Sequence, residues 1–329
     1  MRTIVIIGGG SATFTLLQGL RQFPTNNIVI VSSADDGGST GMLRRELQVM
    51  PTGDIRQCLV GLSYTAPALK DLFNYRFDRG SLKGHSAGNI ILAALQKVTG
   101  SAEGAIAEAA RLLNVRGEVL FASKQPTTLS ARLSDGTVIT SEHDIDEPIL
   151  KKRSPIEELT LSPSVVNQRA LNALERADAI VLGPGDLYTS TVPNLLVPGI
   201  AKAVNASRAK KILITNVMTK FGQTDGFNAL RFLEVINKYL GAAKGKGAID
   251  TVIVNDKKPS AAQLSSYKKE KAVFVDPTIK ELEKTGVTVV ADELIANGIH
   301  KKANGDALVR SKIRHNPEKT AELIWNIIR

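Results

Sequence analysis

The chain has 329 residues, enough for one large α/β domain or two smaller ones. Hydrophobic residues at 43% support a substantial core, and charged residues at 22% exclude a disordered chain. The formal net charge of +10 would suit an anionic partner, but aromatic residues at 5% leave little for base-stacking platforms.

The positive charge is partly gathered in Lys151-Lys152-Arg153, Lys257-Lys258, Lys268-Lys269 and Lys301-Lys302. Runs this short read as solvated faces, so no nucleic-acid partner is expected. Cys58 is the only cysteine, which excludes an intramolecular disulfide and suits a reducing compartment. Within Cys58-Leu59-Val60-Gly61-Leu62 it reads as a small core residue. Ile4-Val5-Ile6-Ile7 is too short for a signal peptide, and no apolar run is long enough to span a bilayer. The expectation is a cytoplasmic protein without membrane insertion.

Thr3 to Ile7 predicts a short strand. Gly8-Gly9-Gly10-Ser11 follows, then a helix over Ala12 to Phe23 with Phe14, Leu16, Leu17 and Leu20 at helical spacing. Strand, glycine loop, helix and strand open a doubly wound sheet. The helix N-terminus brings free N–H groups and partial positive charge, which suit an anion. The third glycine of the dinucleotide fingerprint is missing where Thr13 or Phe14 stands, so no nicotinamide cofactor is inferred.

Ile28-Val29-Ile30-Val31 predicts a buried strand that delivers Ala34-Asp35-Asp36-Gly37-Gly38-Ser39-Thr40-Gly41. Glycine lets backbone N–H groups approach a ligand, and successive N–H groups form a concavity for phosphate. Asp35 and Asp36 could hold a ribose, a divalent cation such as Mg2+, or another loop. The alternative is a turn whose aspartates cap the next helix. Arg44 and Arg45 could donate to a phosphate or lie exposed on that helix.

Pro51-Thr52-Gly53-Asp54-Ile55-Arg56 starts a helix at Asp54, ahead of Ile55, Leu59, Val60 and Leu62. Asp54 and Arg56 are either cleft residues or a cap and a surface charge. Another helix covers Pro67 to Phe77. Gly84-His85-Ser86-Ala87-Gly88-Asn89 precedes an apolar helix, Ile90 to Val98. His85 and Ser86 lack a nucleophile elbow, so Ser86 reads as a cap. The functional alternative has His85, Ser86 and Asn89 donating hydrogen bonds at a positive helix end.

After a helix over Ala102 to Leu113 the pattern shortens. Val119-Leu120-Phe121, Leu129 to Leu133 and Val138-Ile139-Thr140 predict a small antiparallel insertion at about 117–150. Ser134-Asp135-Gly136 makes its hairpin turn. His143, Asp144, Asp146 and Glu147 cluster there without metal-ligand spacing and read as surface acidity. A helix over Val165 to Arg176 leads to the strand Asp178 to Leu182 and the loop Gly183-Pro184-Gly185-Asp186-Leu187-Tyr188-Thr189-Ser190. The rest reads as a helix through Leu195, Leu196 and Ile200, the strand Lys211 to Thr215 ending in Asn216-Val217-Met218-Thr219, and a helix from Asn228 to Leu240. A flexible loop over Gly241 to Gly247 follows, then a strand at Thr251 to Val254 and a final helix from Pro317 to Ile328.

In this order the loops resemble the gluconeogenesis factor family (YvcK-like proteins) of the wider CofD-like superfamily. The resemblance rests on Gly8-Gly9-Gly10, Ala34 to Arg44, Pro51 to Arg56, Gly84 to Asn89, Leu182 to Ser190 with Pro193-Asn194, and Asn216 to Thr219. Arg314-His315-Asn316-Pro317 resembles the family's ending more loosely. It implies a single Rossmann-like α/β domain over 1–329, with a mostly parallel sheet and helices on both faces. It further implies binding of a uridine diphosphate (UDP) sugar, of the UDP-N-acetylglucosamine type, and regulation of carbon use, cell shape and envelope synthesis. A regulatory protein partner and a homo-oligomer are compatible with that role.

The enzymatic relatives transfer a phospholactyl group onto a deazaflavin with a divalent cation. The alternative is therefore a 2-phospho-L-lactate transferase, with Asp35, Asp36 and Asp54 as catalytic candidates and Asp36 as the candidate Mg2+ ligand. Their Tyr-Thr-Leu-Ala-Gly run is absent here, where Pro51 to Leu62 stands instead. The expected ligand-binding set takes Gly8, Gly9, Gly10 and Ser11 from the first loop, and Asp36, Gly37, Gly38, Ser39 and Arg44 from the second. Asp54, Arg56, His85, Ser86 and Asn89 follow, then Gly183, Gly185, Asp186, Tyr188, Thr189, Ser190 and Asn194. Asn216, Thr219 and Arg314 complete it.

Overall fold

The computed structural model describes residues 1–148, 153–242, 247–265, 267, 270–296 and 312–329. Lys151, Lys152, Lys268, Lys269, Lys301 and Lys302, and the middle of the Gly241 to Gly247 loop, lie outside the described residues.

Ten strands are described: β1 (Arg2–Ile7), β2 (Thr25–Val31), β3 (Glu118–Phe121), β4 (Thr128–Leu133), β5 (Val138–Thr140), β6 (Ile156–Ser162), β7 (Ala179–Leu182), β8 (Lys210–Ile214), β9 (Thr251–Asn255) and β10 (Thr288–Asp292). Seven form a sheet in the order β10-β9-β8-β7-β1-β2-β3, and all of its pairings are parallel. The chain builds outward from β1 through β2 and β3, then returns beside β1 with β7 and builds the other way. That reversal separates the strand ends between β1 and β7 and makes a crevice at their carboxyl edge.

The central strands are apolar on both faces, as a parallel sheet covered by helices requires. Val5, Ile7, Ile28, Ile30, Ile180 and Leu182 face one core with the helices Gln168–Arg176, Ile200–Ala206 and Ala229–Leu240. Ile4, Ile6, Val29, Val31 and Val181 face the other, beneath the helices Gly10–Leu20, Gly53–Leu62 and Pro317–Ile328. Cys58 is a fully buried member of the second core, and burial pushes its thiol well above the usual range.

The boundaries expected for the insertion are corrected by strand pairing. Glu118–Phe121 pairs in parallel with β2 and is the edge of the large sheet. The small sheet has the order β5-β4-β6, so its last strand runs to Ser162 rather than ending near residue 150. A short apolar run does not declare which sheet it joins, because its partner is distant in sequence. The buried face of β4 (Leu129, Ala131 and Leu133) packs into the first core, which seats the insertion over the large sheet.

Candidate functional site

The register sets the geometry of the crevice. Ile7 aligns with Ile30 on one side and Leu182 on the other, so the loops after β1, β2 and β7 leave the sheet at one level. They enclose a cleft of about 630 Å³. Gly9, Gly10 and Ser11 line it from the first loop, and Asp35, Gly37 and Ser39 from the second. Gly53, Asp54, Arg56 and Asn89 line one side, and Gly185, Asp186, Thr189, Ser190, Asn216 and Thr219 another.

Helices begin at Gly10, Gly38 and Gly53, and none of the preceding residues, Gly9, Gly37 and Thr52, supplies a side-chain cap. The helix starts therefore carry no cap from the preceding side chain, and their dipoles favour an anion. Gly9 could not be replaced without movement. A Cβ there would lie 1.9 Å from Asp54 Oδ2, so the first loop packs directly on the Asp54 carboxylate.

Several expected residues lie behind the cleft wall. Gly8, Gly38 and Gly183 shape the turns at positive φ but do not line the cavity. Arg44 turns inward and donates to the carbonyls of Ala34 (3.3 Å), Asp35 (3.4 Å) and Thr127 (2.7 Å), bracing the second loop. Ser86 accepts from Asn89 N at 3.2 Å as a helix cap. His85 lies behind Ser39, with Nδ1 3.0 Å from the Ser39 hydroxyl. Tyr188 is buried edge-on to Phe227, and burial pushes its phenol up to about 12. Asn194 donates to Ser190 O at 2.8 Å, and Arg314 is half-buried outside the lining.

Asp36 also stands back from the cavity. Its Oδ1 accepts from Ser141 Oγ at 3.2 Å and from His143 N at 2.8 Å, so it anchors the insertion to the second loop. Asp35 remains in the cleft, where its Oδ1 accepts from Gly37 N at 3.1 Å. Burial raises the Asp35 pKa, partly offset by that bond and one from Thr40.

A relay orders the opposite wall. Arg56 Nε can only donate, and it donates to Asn89 Oδ1 at 3.0 Å. This turns Asn89 Nδ2 toward Ser39 Oγ, 3.3 Å away. The Ser39 hydroxyl is thereby fixed in position at the cleft.

The acidic cluster read as surface is corrected by the structure, with one exception. Glu142, His143, Asp146 and Glu147 line the cleft because the insertion folds back over the sheet, and only Asp144 stays exposed. Lys220, one residue beyond Asn216 to Thr219, bridges Asp146 Oδ1 at 2.5 Å and Asp186 Oδ2 at 2.8 Å. Burial opposes the Lys220 charge, but the two carboxylates outweigh it and raise its pKa. Burial likewise opposes the Asp146 charge, and Lys220, Thr189 and Gln223 together reverse that effect. Arg76, Phe221, Tyr267 and Lys271 also reach the cleft without having been expected from sequence. Asp144→Ala should leave ligand affinity within about twofold, because an exposed charge is worth below about 1 kcal/mol. A tenfold loss in a calorimetric titration would count against this placement.

Among the described residues, no cluster of three or more His, Cys, Asp or Glu has the geometry of a metal site. Asp35 and Asp54 both line the cleft, and one or two carboxylates with a substrate phosphate are the ligands Mg2+ usually takes, so these are the residues that could hold it. No helix among the described residues is long and apolar enough to cross a membrane.

A seven-stranded parallel sheet with helices on both faces and a cleft at its switch point defines a Rossmann-like α/β protein. The family model of CofD, 2-phospho-L-lactate transferase, matches residues 4–295. A gluconeogenesis factor of Halalkalibacterium halodurans is 40% identical over 326 residues, covering 98% of this chain and 95% of that one. A gluconeogenesis factor of Bacillus subtilis is 38% identical over 329 residues, covering 99% and 98%. The crystal structure of a UPF0052 family member from Bacillus halodurans matches with a TM-score of 0.89 at 39% identity, over 98% of each chain. The chain belongs to the CofD family and, within it, to the gluconeogenesis factor group.

Proposed function

We propose that the cleft binds a UDP sugar of the UDP-N-acetylglucosamine type. On this reading the protein is a binding regulator of carbon metabolism, cell shape and envelope synthesis, acting in the cytoplasm. The observation that carries the reading is that the starts of three helices, reached through Gly10, Ser39 and Gly53, meet in one cleft of about 630 Å³ with no cap from the preceding side chain. Helix starts suit a diphosphate, and the volume falls in the range of small-molecule sites. The names of the relatives support the link to carbon metabolism.

A 2-phospho-L-lactate transferase is the second reading. It is favoured by Asp35 and Asp54 facing the same cavity and by the name of the family model. Calorimetry with UDP sugars and with 2-phospholactyl donors, each with and without Mg2+, separates the two. The regulator binds the nucleotide sugar without turnover; the transferase requires Mg2+ and loses its response in Asp54→Asn. Absence of UDP-sugar binding at millimolar ligand would defeat the first reading.

Gly9→Val tests the phosphate loop. The new side chain collides with Asp54, and overpacking of this kind costs about 1–3 kcal/mol. UDP-sugar affinity should fall roughly tenfold to hundredfold while far-ultraviolet circular dichroism is retained. Unchanged affinity would place the ligand elsewhere.

A further inference from the structure

The cleft has two unlike walls. The glycine loops present backbone N–H groups at helix starts, whereas the short helix Glu142–Asp146 presents carboxylates. A diphosphate in unscreened contact with carboxylates is repelled, and only the glycine wall sets helix starts against its own carboxylates, Asp35 and Asp54, so the diphosphate is favoured there.

The acidic wall is rigidly built. Asp36 holds Ser141 and His143 N from below. Asp146 is held by Lys220, by Thr189 Oγ1 at 2.8 Å and by Gln223 Nε2 at 3.1 Å. Arg153 Nη1 donates to the carbonyl of Ile145 at 2.9 Å. Gly37 has its open side against His143, where a Cβ would lie 3.3 Å from Nδ1, so the wall abuts the phosphate loop. Asp36 and Asp146 thus each have one carboxylate oxygen, Oδ1, committed within the protein, and Asp144 faces solvent. Glu142 lines the cleft near Asp35, Asp36, Asp146 and Lys220 and makes no hydrogen bond or ion pair among the described residues. Burial and those neighbouring carboxylates push its pKa well up. A recessed carboxyl of this kind gains from neutral hydrogen-bond donors, and a sugar ring supplies several.

We propose that Glu142 is the specificity-determining residue for the glycosyl end of the ligand, its carboxyl accepting hydrogen bonds from the hexose while the glycine loops hold the diphosphate. The uracil is a poorer fit to this wall, because two of its polar edges are carbonyl oxygens and would face carboxylates. This inference rests on the nucleotide-sugar reading and adds a direction to it: phosphate toward Gly9 and Gly37, sugar toward Glu142.

Calorimetric titrations of UDP and of UDP-N-acetylglucosamine against the intact chain, Glu142→Gln and Asp144→Asn test it, with thermal melts as the check on folding. The intact chain and Asp144→Asn should bind the sugar nucleotide at least ~10-fold more tightly than UDP. Glu142→Gln should bring the two ligands within about twofold of each other while the affinity for UDP is unchanged. Retention of the sugar preference in Glu142→Gln would overturn the inference, as would equal weakening of both ligands, which would place the ribose there instead. If the intact chain binds both ligands equally, the glycosyl inference fails and the nucleotide reading stands. If it binds neither at millimolar concentration, the nucleotide reading itself fails.

Discussion

Replacing Lys220 with methionine should lower the stability of the protein by about 3 kcal/mol, at the low end for a broken buried pair because its carboxylates are partly open to solvent. The ammonium lies between Asp146 and Asp186 and ties together three elements that Thr189 and Gln223 also link through Asp146. Asp146 belongs to the antiparallel insertion, Asp186 to the loop after β7 and Lys220 to the loop after β8. Methionine keeps most of the volume but removes the charge and the hydrogen bonds, leaving two carboxylates close together. The melting temperature should fall by roughly 5–10 °C. If the cost comes from uncompensated charge, adding Asp146→Asn to Lys220→Met should recover part of the loss. A melt within about one degree of the unmodified protein would show that water already screens the bridge.

This bridge also marks where sequence reading stopped. Gly9, Gly37 and Gly185 were legible because close backbone approach leaves a local trace: glycine at the end of a β-branched strand. β1, β2, β7, β8 and β9 were legible for a similar reason, since a strand buried on both faces is an unbroken apolar run. β10 was missed because it is a half-exposed edge strand with a weak apolar signal. Glu142, Asp146 and Lys220 carry no comparable trace. Their role depends on the insertion returning over the sheet, and a carboxylate on a short helix looks alike in sequence whether it faces water or a cleft. Arg44 shows the converse. Its position beside a glycine loop suggested a ligand contact, yet three carbonyls within reach claim its guanidinium. Only the distance between the loop and Thr127, far along the chain, decides that outcome.

The loop that carries Lys220 is supported from below by His315, and this gives the protein an expected sensitivity to acid. His315 Nε2 lies 3.1 Å from Thr215 O at the end of β8, and its ring is buried. Since the carbonyl only accepts, Nε2 carries the proton of the neutral ring. Burial pushes the His315 pKa down to about 4, and the bond to Thr215 only partly offsets this. In the unfolded chain a histidine titrates near ~6.5. Between these values the unfolded state binds a proton that the native state does not. The stabilisation is therefore complete above pH ~6.5 and is lost progressively as pH falls toward about 4. The full span corresponds to roughly 3 kcal/mol. Glu142 and Asp35 have raised pKa values and act in the opposite sense in the acid range, so the comparison must be made against a variant. His315→Gln keeps an N–H donor for Thr215 O but does not titrate. Urea denaturation at pH 7 and pH 4.5 should show a steeper loss of stability for the unmodified protein than for His315→Gln, by about 2–3 kcal/mol. Equal pH dependence in the two proteins would mean that His315 charges without unfolding the loop, and that the Asn216 to Lys220 wall of the cleft is open to water from behind.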